Sequence, residues 1–154
     1  MATTRVSAHV RAPRGAVYRT LLDAEAVQRW MVPDGMTSEV HAFDGREGGD
    51  FSITLTYDDP SAAGKTEGAS DSFQGRFVRL IPDTEVVQAI EFETDDPSVQ
   101  GVMTIRYELA DDGEGTLVTG IHEGLPDGVD PSDNELGWRM SLGKLARLVE
   151  TGQI

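Results

Sequence analysis

The chain closes on apolar residues at helical spacing, after roughly ninety residues whose apolar positions alternate with a period of two. Ser132 and Glu135, three residues apart, form a capping-box pattern, so a helix is expected over residues 132 to about 151. Trp138, Leu142, Leu145 and Val149 recur at spacings of four, three and four along one stripe, whereas Arg139, Lys144, Arg147 and Glu150 fall on other sides. Such a stripe must be buried. The preceding strands are the large apolar partner available, so the sequence predicts a long helix laid across a sheet.

The strands can be placed from the alternation. Val6, Ala8 and Val10 against Arg5, Ser7, His9 and Arg11 predict a half-buried first strand over 4–11. Pro13 suits the first turn of a short helix with Val17, Tyr18, Leu21 and Leu22 on its apolar face. Asp23 is placed to cap a second, carrying Val27, Trp30 and Met31 and ended by Pro33-Asp34-Gly35. Six further strands follow near 39–44, 50–57, 72–81, 85–93, 101–110 and 116–123. Gly45, Gly48, Gly49, Pro82-Asp83 and Asp112-Gly113 mark the hairpins, and 59–70 is a longer polar loop. With no repeat or linker, residues 1–154 read as one α+β domain.

Composition narrows the functional classes. A chain of 154 residues buries enough surface to hold a core without staples, and it has no cysteine for disulfides, thiolate metal sites or thiol nucleophiles. The 27 acidic residues outnumber 13 basic ones, and a net charge of −14 opposes nucleic acid and anionic membranes. Nothing resembles a signal segment or a membrane span, so a cytoplasmic location is expected. Asp58-Asp59, Asp95-Asp96 and Asp111-Asp112 read as solvated turns rather than calcium loops.

Four segments carry a family resemblance: Gly48-Gly49-Asp50-Phe51, the stretch from Gly75 to Pro82, His122-Glu123-Gly124-Leu125-Pro126, and the stretch from Gly137 to Leu142. Across Val6 to about Val149 the chain resembles the bacterial single-domain relatives of the activator of heat-shock protein ninety ATPase, of the C-terminal domain type. These belong to the START-like superfamily, also called SRPBCC, with polyketide cyclases and the birch pollen allergen. The resemblance implies a helix-grip fold: a curved antiparallel sheet of about six to seven strands, two short N-terminal helices, and a long C-terminal helix across the concave face. It also implies an internal cavity for a small hydrophobic molecule. A fold of this kind hosts many unrelated activities.

Alternation assigns the inward side chains. Phe51, Ile53, Leu55 and Tyr57 share one face, as do Val86, Gln88, Ile90 and Phe92, and Met103, Ile105, Tyr107 and Leu109. On the last strand Val118, Gly120 and His122 match them, with Leu117 and Ile121 opposite. In the 72–81 strand Phe73, Gly75 and Phe77 oppose Val78 and Leu80, and a bulge would bring both sets partly inside. The candidate ligand wall is Trp30, Phe51, Ile53, Phe77, Gln88, Ile90, Phe92, Met103, Ile105, Tyr107, His122, Trp138 and Leu142. A filled core made of the same residues is the competing reading.

His122 and Tyr107 are the weak catalytic candidates, since an imidazole beside a phenol and Gln88 suits either proton transfer or plain hydrogen bonding. The three histidines are dispersed, without His-Glu-x-x-His spacing, so no metal site is expected. There is no Gly-x-Ser-x-Gly elbow, and Gly45, Gly48 and Gly49 lie between strands rather than before a helix. No cofactor is expected. The leading expectation is non-catalytic binding of a small hydrophobic or amphipathic molecule. A cyclase or dehydratase acting through His122 and Tyr107 is the alternative, and a chaperone partner with ATPase activation is a third, implied by the resemblance alone.

Overall fold

The computed structural model describes residues 2–66 and 68–153. Among them the elements follow as β1 (Ala2–Val10), α1 (Arg14–Leu21), α2 (Ala24–Trp30), β2 (Met36–Phe43), β3 (Asp50–Tyr57), β4 (Ser70–Ile81), β5 (Glu85–Phe92), β6 (Met103–Asp112), β7 (Gly115–Leu125) and α3 (Pro131–Thr151). Strands β2 to β7 form a meander and β1 pairs with β7, so the order is β1-β7-β6-β5-β4-β3-β2, antiparallel throughout. Helices α1 and α2 carry the chain from one edge strand to the other. This is the expected α+β helix-grip arrangement.

The period of two is expressed as burial on one face. Along β6, Met103, Ile105, Tyr107 and Leu109 are buried, while Arg106 points outward and donates from Nε to Oε1 of Glu123 on β7 over 3.0 Å. In β4 the register shifts between Phe77 and Arg79. This bulge leaves Val78 exposed and turns Leu80 back toward the core, so Phe77 and Leu80 both reach it despite their odd spacing.

The stripe of α3 lies where its spacing requires. Leu142 and Leu145 are fully buried, Leu148 joins them, and Trp138 and Val149 pack partly against the same core. The start of the helix differs from the expected capping box. Asp130, not Ser132, is the N-cap: its Oδ1 accepts from the backbone N–H groups of Ser132 and Asp133 over 2.8 and 3.2 Å. Pro131 explains the difference, because its fixed φ and missing N–H suit the first helical position and place the preceding residue at the cap. Gly152, at φ 75°, closes the other end by donating to the Leu148 carbonyl. Strand limits agree closely, the largest difference being β2, which starts at Met36 rather than 39. No helix among the described residues is long and apolar enough to cross a membrane.

Candidate functional site

The concave face has a solid end and a hollow one. Helix α3 runs closest to β1 and also meets α1, α2 and β7, so strands β3 to β5 depend on side chains to fill the space beneath it. At the end near α1 they succeed. Phe43, Phe51 and Phe77 form an aromatic cluster with ring centroids 5.3 to 6.1 Å apart, within the same core as Val86 and Leu109. Gly75 permits this closure, since a Cβ there would lie 2.4 Å from Cζ of Phe51 and 2.7 Å from Cγ2 of Ile90.

At the other end a cavity of about 550 Å³ remains. Its sheet wall comprises Met36 of β2, Leu55 and Tyr57 of β3, Asp71 and Phe73 of β4, Gln88, Ile90 and Phe92 of β5, Met103 and Ile105 of β6, and His122 and Leu125 of β7. Trp138 and Ser141 face it from α3, Met31 and Pro33 from the turn after α2, and Ala63 and Lys65 from the 59–70 loop. That loop is strapped down. Lys65 donates to Asp71 through both its backbone N–H and Nζ, the latter over 3.0 Å, and its Nζ sits 5.9 Å from the centre of the Phe92 ring.

Of the thirteen residues expected to form the wall, the structure brings seven to the cavity: Gln88, Ile90, Phe92, Met103, Ile105, His122 and Trp138. Trp30, Phe51, Ile53, Phe77, Tyr107 and Leu142 pack instead in the solid core behind it. Trp30 is fully buried, edge-on to Tyr107 at 6.1 Å, and Tyr107 in turn meets Trp138 at 5.9 Å. These three rings partition the filled half from the hollow half.

His122 is the best-connected polar group of the wall. Its Nδ1 accepts from Nε1 of Trp138 and faces Nδ2 of Asn134, each at 3.2 Å, and Nε2 lies 3.3 Å from Sδ of Met103. Asn134 is oriented from the far side, because its Oδ1 accepts from the Thr4 hydroxyl over 2.5 Å. Two converging N–H donors make Nδ1 an acceptor, which places the ring proton on Nε2. Burial holds the imidazole neutral, its pKa lowered from 6.5 to about 4.

Tyr107 is in a different state. Its hydroxyl is buried without a partner, it does not line the cavity, and desolvation raises its pKa far above the ordinary phenol value. Gln88 is also buried, at 2 % exposure, yet it lies on the wall, and its Oε1 has no hydrogen-bond partner. His9 and His41 bond to Asp112 and Thr54 on exposed parts of the sheet, away from the cavity.

The model of the family described as Activator of Hsp90 ATPase homolog 1-like protein matches residues 11–150. The chain belongs to this family. A crystal structure of a Chromobacterium violaceum protein is similar at 32% identity over 96% of each chain, with a TM-score of 0.84. An AHSA1-like protein of Aeromonas hydrophila shares the fold at 19% identity, covering 98% of this chain and 94% of that one, with a TM-score of 0.71. So does a putative protein in the dynemicin biosynthetic locus, at 21% identity, TM-score 0.68, over 98% of this chain and 48% of that one. No curated protein matches the sequence.

In this AHSA1-like chain, two of the four segments that carried the resemblance border the cavity: His122 to Pro126 at the end of β7, and Gly137 to Leu142 on α3. The other two build the solid end. Sequence reasoning did not reach Lys65, Asp71, Val129 and Asn134, which come to the wall from a loop, a strand start, a turn and the opening of a helix. Asn134 left one signal, its i, i+4 spacing to Trp138 on the same side of α3.

Proposed function

We propose that this AHSA1-like chain binds one small amphipathic molecule in the cavity between the sheet and the first half of α3. The observation that carries the reading is the space itself, about 550 Å³ behind a largely apolar wall with Gln88, His122 and Trp138 as its inner polar groups. Small-molecule sites typically occupy roughly 300–1,000 Å³ and combine apolar walls with a few placed polar groups. Seven residues then contact the ligand: Gln88, Ile90, Phe92, Met103, Ile105, His122 and Trp138. Ala63 and Lys65 border the cavity from the loop before β4, and the Lys65–Asp71 pair fixes Lys65 there.

Native mass spectrometry of the purified protein, before and after solvent extraction, tests the proposal. A small molecule released by extraction, or a rise in melting temperature on adding Nile red, supports it. A bare-chain mass together with an unmoved melting temperature argues against it.

A catalytic use of the same site rests on one observation, the Nε2–H tautomer of His122 at the wall, which would donate to a carbonyl oxygen of a bound molecule by exchanging its weak contact with Sδ of Met103. Tyr107 takes no part in this version, its hydroxyl being behind the wall. Turnover that survives His122→Asn unchanged would end it.

A further inference from the structure

Charge around the cavity is one-sided. Asp34, Asp71, Asp130 and Asp133 line it, and Lys65 is the cationic side chain among the described lining residues. Lys65 is already committed to Asp71. Asp34 is paired with Lys144 at 3.2 Å, which leaves Asp130 and Asp133 at the mouth without a cationic partner among the described residues. The N-terminus of α3, which in other settings attracts anions, is occupied by the chain's own groups. Asp130 Oδ1 accepts from Ser132 and Asp133, and the Asp130 carbonyl accepts from the Asn134 N–H over 3.0 Å. An anionic ligand would enter this field, within a chain of net charge −14, without a free partner for its charge.

Deeper in, Gln88 sets a second requirement. It sits midway along β5, paired with Phe77 and Ile105, at 2 % exposure, and its Oε1 has no partner. An orphaned buried acceptor costs stability unless something completes it. Oε1 as it stands is closed off from the cavity, so a ligand reaches it only after a half-turn about the last torsion exchanges the oxygen and nitrogen of the carboxamide, and a group that meets either orientation both donates and accepts.

We infer that the molecule held here is an uncharged or cationic amphiphile, an uncharged one carrying a hydroxyl on its buried end, and is neither a carboxylate nor a phosphate. This rests on the binding reading above.

The test is displacement of Nile red from the full chain at neutral pH by decan-1-ol, decylamine and decanoate, which share one tail and differ in headgroup. The alcohol and the amine are expected to displace the dye, with decanoate weaker by about tenfold. Added salt narrows the gap between amine and decanoate by screening. Gln88→Leu, or Gln88→Met where the first does not fold, is expected to weaken decan-1-ol by about fivefold and leave decylamine, anchored at the acidic mouth, within about twofold. Decanoate binding as tightly as decan-1-ol, or a Gln88 variant with unchanged alcohol affinity, overturns the inference while leaving the binding site intact. Wild-type protein that takes up no dye removes the site, and the inference with it.

Discussion

Nε1 of Trp138 donates to Nδ1 of His122 across 3.2 Å, and this bond fastens the first half of α3 to β7 at the wall of the cavity. The rings meet edge to face, with centroids 6.2 Å apart, and Asn134 approaches the same nitrogen from the next turn of the helix. The pair fixes the tautomer of the histidine, the orientation of the indole and the height of the helix above the sheet.

A pH dependence follows from that burial. The folded-state pKa of about 4 lies below the ordinary 6.5, so between these values the unfolded chain binds a proton that the folded chain does not. The stability due to neutral His122 is therefore complete above about pH 6.5 and is lost as pH falls toward about 4, by roughly 3 kcal/mol in all. Urea unfolding of wild type and His122→Asn across this window checks it. Wild type is expected to lose the larger share; parallel curves for the two proteins would contradict the placement.

Two glycines of the concave face are expected to respond oppositely to a methyl group. At Gly75 the new Cβ would meet Phe51 and Ile90 below 3.0 Å and the Ala89 carbonyl at 2.8 Å, so Gly75→Ala is expected to cost about 1–3 kcal/mol. At Gly120 the nearest atom is Cδ1 of Leu142 at 3.8 Å, and Gly120→Ala is expected to be neutral or mildly stabilising. Thermal unfolding of both variants distinguishes a site with no space for a methyl group from one that has it.

Leu145 anchors α3 with no exposed surface. Leu145→Ala is expected to remove about 2–5 kcal/mol, read as a fall in the urea midpoint with an unchanged slope. A loss below about 1 kcal/mol would mean that the stripe does not depend on the sheet beneath it.

Gln88→Leu is expected to raise the stability of the ligand-free protein by about 1 kcal/mol, because it removes an orphaned acceptor from a buried position without leaving a large void. The melting temperature would rise by about 2–4 °C. A clear fall would show that Gln88 is structural.

Much of the fold was legible because one physical signal, apolar alternation, sets both the strands and their inward faces. Met103, Ile105, Tyr107 and Leu109 read correctly from the sequence and are all buried. The N-cap reads wrongly from the sequence: the Ser132–Glu135 pattern points to Ser132, whereas Pro131 occupies the first helical position and Asp130 caps the helix. The division of the concave face was not legible. Alternation tells which way a side chain faces but not how far along the strand the helix still covers it, so Ile53 is core while Leu55, two residues on, lines the cavity. Partners such as Asn134 for His122 or Asp71 for Lys65 depend on chain crossings that no local period encodes.

The most direct measurement is a fluorescence titration of Nile red into the wild-type chain and into Ile90→Trp, which puts an indole at the hollow end. Saturation at one dye per chain, lost in the filled variant while its melting temperature holds, is the expected result. No saturable binding, or equal binding by both proteins, would contradict a ligand cavity beneath α3.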